Sequence, residues 1–264
     1  MFRTGLSSFA TKRYLNTNAK PTQLQEYVES MSSSGATFPK SILESLQAET
    51  RQRFRDAHKM IPLHQAEFLY SFTRMIRPEN VLEIGTFTGL STTSIAAGTQ
   101  GRIITIERDS GALSIAKSTR HVSYVPIVCI MMEPLCSPTI PLYVQFSVKK
   151  IPTGPSATKF DLVFIDADKG NYINYFNQIM SRSLLSDRGV ILVDNVLFRG
   201  LVPQAMESEI DPQNKGLMRT ARQLHAFNQH IKDDPRVEQI ILPLYDGLSI
   251  IQKKAKLTCF PPNR

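Results

Sequence analysis

Residues 81–89 read VLEIGTFTG, a short apolar run that ends in a turn holding two glycines, Gly85 and Gly89. The run predicts a buried β-strand, and the stretch from Ser91 to Ala97 is interpreted as the helix that follows it. Glycine in such a turn lets the backbone approach a ligand closely, and a helix N-terminus offers free N–H donors. The stretch therefore predicts one strand–turn–helix unit of an α/β protein, although a purely structural turn explains the glycines equally well.

Further apolar runs alternate with helical stretches on both sides of this unit. Strands are predicted at 102–107, 160–166 and 189–194, and an antiparallel hairpin at 237–242 and 248–252. Helices are predicted at 21–31, 39–57, 64–75 and 111–118, and after the strand at 160–166 as far as about residue 183. Alternation of this kind implies a mostly parallel sheet with helices on both faces. Ligands bind such sheets at the carboxyl ends of the strands, so informative side chains should follow each apolar run.

The composition indicates a globular chain in a reducing compartment. The 264 residues are 42% hydrophobic and 20% charged, which excludes an intrinsically disordered chain, a collagen and a long coiled coil. No apolar run of about 18 residues is free of charge and proline, so the sequence predicts no transmembrane helix. Three cysteines, Cys129, Cys136 and Cys259, are too few and too irregularly spaced for a disulfide framework or a zinc site.

The charge pattern bears on the partners of the protein. Lys and Arg exceed Asp and Glu by 31 to 23, which gives a net charge of +8. The basic residues are scattered, no basic run alternates with aromatic residues, and the chain has no Trp. We therefore expect no nucleic acid and no membrane among its partners.

The amino-terminal segment is basic and rich in Ser and Thr. Residues 1–25 hold four basic residues and no acidic one. This composition is typical of a mitochondrial transit peptide and equally of an ordinary basic tail, so a cytoplasmic and a mitochondrial location both fit. We predict a tail at 1–20, a single domain at 21–256 with an atypical segment at 121–148, and a short tail at 257–264.

Two acidic residues stand at the ends of the first two predicted strands. Glu83 lies beside the glycine turn, where it would repel a pyrophosphate but suit a cationic or hydroxyl-bearing ligand. Glu107 ends the second strand, where an acidic side chain can accept hydrogen bonds from two ribose hydroxyls. Gly85 and Gly89 also lack the Gly-x-Gly-x-x-Gly spacing of dinucleotide sites. Together these residues predict a nucleoside site, whereas Glu107 alone is equally explained as a solvated strand-end carboxylate.

Oxygen-bearing side chains follow the two later parallel strands. Asp166, Asp194 and Asn195 are hard ligands that suit Mg²⁺ or a similar divalent cation, and the set holds no His or Cys, which argues against zinc. Lys169 lies next to them. An amine beside a cation has a lowered pKa, and its neutral form can act as a base. The alternatives are a turn at Asp194 and Asn195, a helix cap at Asp168 and a surface position for Lys169.

Three segments carry a resemblance to a known family: EIGTFTG at 83–89, FDLVFIDADKGNYINY at 160–175 and VDN at 193–195. They resemble the cation-dependent class I S-adenosylmethionine O-methyltransferases, and among these the caffeoyl-CoA O-methyltransferase-like group, which is related to catechol O-methyltransferase. The segment from Asp234 to Leu248 is similar to the closing strands of that family. The resemblance implies a Rossmann-like α/β fold, with a mostly parallel seven-stranded sheet whose last strand is antiparallel, and a homodimer.

Carried over by position, the resemblance also implies a site and a reaction. The residues that would hold S-adenosylmethionine are Ile61, Glu83, Gly85, Thr86, Ser91, Glu107, Asp168 and Tyr175. The metal ligands would be Asp166, Asp194 and Asn195, and the catalytic residues Lys169, as general base, and Asp166. The reaction would transfer a methyl group to a small phenolic acceptor, a catechol-like or caffeoyl-type vicinal diol. A chelated Mg²⁺ or other divalent cation would lower the pKa of the acceptor hydroxyl and orient it.

Residues 121–148 depart from the family pattern. The segment reads HVSYVPIVCIMMEPLCSPTIPLYVQFSV and holds four prolines and one charged residue, Glu133. We expect neither a continuous helix nor a central strand through it, because proline disrupts both. A lineage-specific insertion and a mistranslated intron both fit this composition. The segment leaves a second function open, that of a non-catalytic methyltransferase-fold protein impaired by it. A nicotinamide-dependent oxidoreductase is disfavoured by the glycine spacing and by Asp194 and Asn195.

Overall fold

The computed structural model describes residues 23–32, 37–118, 127–131, 151–154, 157–206 and 215–255. The predicted tails at 1–20 and 257–264, and with them the transit-peptide question, lie outside these residues. Most of the atypical segment at 121–148 also lies outside them. Within the described residues, no helix is both long and apolar enough to cross a membrane.

Seven strands form one sheet. They are β1 (Asn80–Ile84), β2 (Arg102–Glu107), β3 (Ile127–Met131), β4 (Phe160–Ile165), β5 (Leu185–Val193), β6 (Val237–Leu242) and β7 (Leu248–Lys253). Their order across the sheet is β3-β2-β1-β4-β5-β7-β6. The first five strands pair in parallel, whereas β7 is antiparallel to both β5 and β6. The predicted fold class, a mostly parallel α/β sheet with its last strand antiparallel, is confirmed.

Helices cover both faces of the sheet. The α-helices of the described residues are α1 (Gln23–Met31), α2 (Lys40–Arg53), α3 (Leu63–Ile76), α4 (Leu90–Gly98), α5 (Ser110–Ser118), α6 (Tyr172–Ser181) and α7 (Lys215–Asp233). Side chains of β4 alternate between the faces: Val163 and Ile165 pack with α6 and α7, and Leu162 and Phe164 pack with α2, α3 and α4. The alternation follows from the two-residue period of a strand, and it makes two apolar layers around one sheet.

Among the α-helices and strands of the described residues, the sequence prediction missed one helix and one strand. Helix α7 is mostly polar, and it packs through apolar residues spaced three or four apart, among them Met218, Leu224 and Phe227. Strand β3 lies within the atypical segment, but at the edge of the sheet and between Pro126 and Pro134, so no proline interrupts it. Almost every residue around β3 is apolar or small, and this uniformity hides the ends of the strand from a pattern analysis.

The fold brings several distant segments to one edge of the sheet. The carboxyl ends of β1, β2, β4 and β5 share this edge because the four strands are parallel. Strand β6 runs in the same direction, so the turn between β6 and β7 lies there too. Helix α3 begins at this edge, since Tyr245 of that turn contacts His64 in the first turn of the helix. These segments enclose the predicted site.

Candidate functional site

The turn after β1 requires glycine at its first position. Gly85 has a φ of +104°, and a Cβ atom there would lie 2.2 Å from the backbone oxygen of Asp166. Gly89, with a φ of +93°, precedes the first residue of α4. The turn can therefore pass directly against the end of β4 only because Gly85 has no side chain. The turn at 85–89 is called the donor turn below, because its residues are predicted to bind the methyl donor. The close approach places it beside the predicted metal ligands.

Glu83 is a fully buried carboxylate beneath this turn. Its Oε2 accepts hydrogen bonds from the hydroxyls of Thr92 and Thr105, while its Oε1 has no hydrogen-bond partner among the described residues. Burial raises the pKa of Glu83 to about 7, and the nearby hydroxyls of Ser91, Thr105 and Thr92 partly offset this rise. Glu83 and Ser91, both predicted to hold the donor, are thus brought together with Thr86, whose hydroxyl bonds to Thr105. A cation or an N–H donor would satisfy the free oxygen.

A Glu83→Gln variant is expected to change the pH dependence of stability. The folded-state pKa of Glu83 lies above its unfolded value. The contribution of Glu83 to the free energy of unfolding is therefore fully present below about pH 4.5 and is lost as the pH rises through about 7. The shift corresponds to roughly 3 kcal/mol in the free energy of unfolding. Glutamine removes this loss, so urea unfolding should show the variant gaining more on the wild type at pH 8 than at pH 5. Glu49→Gln, at an exposed i,i+4 pair with Arg53, is the control. Equal differences at both pH values would contradict the prediction.

The Glu107 carboxylate accepts three hydrogen bonds from backbone N–H groups, which the sequence analysis did not predict. Its Oε1 accepts from the N–H groups of Arg108 and Asp109, and its Oε2 accepts from the N–H of Phe87 at 2.6 Å. A carboxylate accepts about four hydrogen bonds, so one position remains, on Oε2. Glu107 is therefore not a merely solvated carboxylate. It ties the donor turn to β2, and an acceptor position on Oε2 remains for a ribose hydroxyl.

Asp168 and Tyr175 form a pair in which Tyr175 is buried and Asp168 is partly buried. The hydroxyl of Tyr175 donates to Oδ1 of Asp168 at 2.5 Å, and the amide of Asn171 donates to Oδ2. Asp168 precedes a short 3₁₀ turn at Lys169–Asn171 but makes no side-chain capping bond to it. The capping alternative is therefore correct for the position of Asp168, which is the N-cap residue, but its side chain supplies no capping bond. Ile61 lies in the loop before α3 and packs in the same apolar cluster as Leu90 of α4.

The predicted metal ligands lie at adjacent strand ends. Asp166 and Asp194 directly follow β4 and β5, which pair in parallel with Ile165 opposite Val193. Asp194 is 2% exposed, and its Oδ1 accepts the N–H of Asn195 at 2.7 Å. Burial raises the pKa of the Asp194 carboxyl, and the negative charge of Asp166 raises it further. Two carboxylates this close are favoured when a cation offsets their charge.

A turn begins at Asn195, the third of the predicted metal ligands. Asn195 has a φ of +63°, and its carbonyl accepts the N–H of Phe198, so the predicted alternative of a turn is correct and compatible with a ligand role. Among the described residues no group of three or more His, Cys, Asp and Glu side chains is placed to hold a metal ion. The predicted set differs from such a group because it has two carboxylates and one amide.

Lys169 is held inside the site rather than at the surface. Its side chain is 19% exposed, its Nζ lies 2.7 Å from Oδ1 of Asp166, and it sits 5.3 Å from the ring centroid of Tyr172. Burial lowers the pKa of Lys169, but the Asp166 carboxylate and Tyr172 outweigh it and raise the pKa above its usual range. The sequence predicted a lowered pKa on the argument that a cation lies beside the amine. The protein's own groups act in the opposite direction and make Lys169 the cation of an ion pair.

The sequence analysis missed three residues that adjoin the site. Gln65, in the first turn of α3, is 2% exposed, and its Nε2 has no hydrogen-bond partner among the described residues. The amide lies near enough to Asp194 to lower the pKa of that carboxyl. Tyr172 donates its hydroxyl to the backbone oxygen of Asp194 at 3.1 Å. The third residue is Tyr245, in the turn between β6 and β7, whose ring contacts that of His64 next to Gln65. A polar residue on the apolar face of α3 was the available signal for Gln65.

Comparisons with known proteins agree with this geometry. The profile of the O-methyltransferase family matches residues 31–254 of the chain. The chain is 32% identical over 243 residues to O-methyltransferase hkm8 of Aspergillus hancockii, covering 82% of this chain and 89% of that protein. It is 26% identical over 223 residues to caffeoyl-CoA O-methyltransferase of Populus kitakamiensis, covering 80% and 86% of the two chains.

A solved structure gives the same picture. The SAH-bound methyltransferase PaMTH1 of Podospora anserina aligns with a TM-score of 0.71 at 25% identity, over 90% of this chain and 99% of that one. The fold, the profile match and the relatives named above all point to one family. The chain therefore belongs to the O-methyltransferase family and is an S-adenosylmethionine-dependent O-methyltransferase of the caffeoyl-CoA O-methyltransferase class.

Proposed function

We propose that the chain methylates one hydroxyl of a small phenolic acceptor, a catechol-like or caffeoyl-type vicinal diol, with the help of Mg²⁺ or another divalent cation. The observation that carries this proposal is the pairing of Asp166 with the buried Asp194 at adjacent strand ends, next to Lys169. Burial makes a negative charge on Asp194 unfavourable, and a divalent cation between the two carboxylates would offset it.

The donor set suits a hard divalent cation. Asp166, Asp194 and Asn195 offer oxygen ligands and leave further positions to water or acceptor oxygens, as Mg²⁺ prefers. Nε2 of Gln65, which has no hydrogen-bond partner among the described residues, lies beside Asp194, where it would donate to a water or an acceptor oxygen bound there. When bound, the cation supplies positive charge that lowers the pKa of an acceptor hydroxyl.

The donor side of the site suits S-adenosylmethionine. Gly85 lets the turn after β1 pass directly against the end of β4, which sets that turn beside Asp166. Oε1 of Glu83 is buried and has no hydrogen-bond partner among the described residues, so a positive charge or an N–H group of the ligand would satisfy it. Glu107 retains one acceptor position for a ribose hydroxyl. Thr86, Ser91, Asp168, Tyr175 and the loop at Ile61 complete the proposed donor contacts.

Lys169 is proposed to receive the acceptor proton at Nζ. Asp166 holds this amine beside the proposed metal ligands through the 2.7 Å contact. Nζ must first release its own proton to solvent, and positive charge beside Asp166 would favour this release by offsetting the carboxylate charge that raises the pKa of Lys169. Holding both reactants in line contributes about 7–11 kcal/mol to lowering the barrier.

Metal removal is the direct test of the proposal. Transfer from labelled S-adenosylmethionine to a panel of catechols and caffeoyl esters should proceed with Mg²⁺, stop in EDTA, and return when excess Mg²⁺ is added. Donor binding, measured by calorimetry in the same samples, should persist in EDTA because Glu83 and Glu107 do not need the cation. Turnover that survives EDTA would overturn the metal part of the proposal.

The homodimer that the resemblance implies is proposed as well. Light scattering of the purified protein measures its mass in solution and tests this proposal.

A further inference from the structure

Tyr245 lies in the turn between β6 and β7, directly beside the loop that carries Asp194. The N–H of Val196 donates to the backbone oxygen of Gly247, and the N–H of Leu197 donates to that of Asp246, both at 3.0 Å. These bonds join the loop that follows Asp194 to Asp246 and Gly247, the two residues that follow Tyr245 in its turn. The turn therefore forms part of the same edge as the proposed metal ligands.

The side chain of Tyr245 packs against the start of α3. Its ring centroid lies 4.9 Å from that of His64 and 6.2 Å from that of Phe68, and its hydroxyl donates to the backbone oxygen of His64 at 3.4 Å. The next residue of the helix, Gln65, adjoins Asp194. Tyr245 keeps part of its surface exposed despite these contacts. A partly exposed aromatic side chain therefore packs against the turn of α3 that carries Gln65.

Tyr245 adopts a backbone conformation that its residue type does not favour. Its φ is +54°, in the left-handed region that glycine and asparagine occupy easily and a bulky residue rarely adopts. Strained positions of this kind cluster at functional sites, where the rest of the fold maintains them. The strain here places an aromatic ring at the edge of the site, which a glycine in the same turn would not do.

The sheet order decides which ligand this ring would meet. The donor turn lies over β1 and β2, the proposed metal ligands follow β4 and β5, and β7 is the next strand beyond β5. Tyr245 therefore lies on the side of Asp194 that faces away from the donor turn. An acceptor that reaches from the donor methyl group across the metal ligands extends towards this ring.

We propose that Tyr245, backed by His64, is the wall on which the planar ring of the acceptor stacks, and that it determines a preference for aromatic acceptors. This inference rests on the proposed function, because it assumes that a diol binds at Asp166 and Asp194. Offset or edge-on contact between aromatic rings adds modest affinity beyond the area that it buries. The position of Tyr245 makes it a specificity-determining residue rather than a participant in proton transfer.

Two substitutions at this position separate the ring from the hydroxyl. Tyr245→Asn keeps a residue that tolerates the left-handed conformation but removes the ring, and Tyr245→Phe keeps the ring and removes the hydroxyl. Equilibrium binding of 4-nitrocatechol, followed by its absorbance in the presence of Mg²⁺ and S-adenosylhomocysteine, measures the acceptor site without turnover. We expect the Kd of 4-nitrocatechol to rise about 3- to 10-fold in Tyr245→Asn and to stay unchanged in Tyr245→Phe. The Kd of S-adenosylmethionine should stay unchanged in both, which also shows that the variants fold.

A control and the contrary outcomes complete the test. Arg77→Gly relieves a non-glycine left-handed residue, with a φ of +48°, at the opposite end of α3, and it should leave the Kd of 4-nitrocatechol unchanged. If the wild type binds 4-nitrocatechol and Tyr245→Asn binds it with the same Kd, the proposed role of Tyr245 is wrong, whereas the proposed acceptor class stands. A wild type that binds S-adenosylmethionine but no 4-nitrocatechol would overturn the proposed acceptor class and the wall with it.

Discussion

An Asp194→Asn variant should lose about 10³-fold or more in kcat/KM while its folded state becomes more stable in EDTA. Activity falls because the amide no longer provides the charge that holds a divalent cation, whose effect on the acceptor is worth several kcal/mol. Stability rises because burial and Asp166 raise the pKa of the Asp194 carboxyl, so its ionised form opposes folding. A raised folded-state pKa gives stability that is present at low pH and lost as the pH rises, so the gain should appear at pH 8.

The measurement combines unfolding with metal titration. Urea unfolding in EDTA at pH 8 should place the variant above the wild type, and added Mg²⁺ should stabilise the wild type but not the variant. Asp56→Asn is the control for the loss of an aspartate charge, because Asp56 lies at the surface, where it pairs with Lys59 at 2.6 Å. A variant of Asp194 that keeps Mg²⁺-dependent turnover would exclude this side chain as a ligand.

A Lys169→Met variant is expected to lose about 10²- to 10⁴-fold in kcat, the usual contribution of a positioned proton acceptor. Methionine keeps the length and much of the apolar stem of lysine but carries no amine. The Kd of S-adenosylmethionine should change little, because Lys169 contacts Asp166 and Tyr172 rather than the proposed donor residues. Single-turnover rates with a saturating catechol, beside calorimetric titration of the donor, separate the two effects.

Lys59→Met is the control for the loss of a lysine from an i,i+3 pair, since that lysine lies at the surface. It should leave both the rate and the affinity unchanged. A Lys169 variant that loses donor affinity in proportion to its rate would show that the residue organises the donor site instead of receiving a proton. Retention of the full rate would remove Lys169 from the proposed mechanism.

The apolar runs predicted the parallel strands because burial of a strand leaves a local mark. Val81 to Ile84, Ile103 to Ile106 and Leu162 to Ile165 are buried almost throughout, and each is a continuous run in the sequence. Parallel strands share their carboxyl ends, so the order of the runs was enough to predict that Glu83, Asp166 and Asp194 lie near each other. The polar helix α7 and the edge strand β3 left weaker marks and were missed.

The sequence by itself determined the fold class, the strand ends and the residue types at the site, because hydrophobic periodicity and turn chemistry act over a few residues. Only the tertiary structure decided what those residues do to one another. It bonded Glu107 to the backbone of the donor turn, and it left Oε1 of Glu83 and Nε2 of Gln65 without hydrogen-bond partners among the described residues. It also set Asp166 against Lys169, so that the pKa of the amine rises. Hydrogen bonds and charges of this kind join groups that are far apart in the chain or turned towards each other by packing, and their energies depend on distance and burial that no local pattern records.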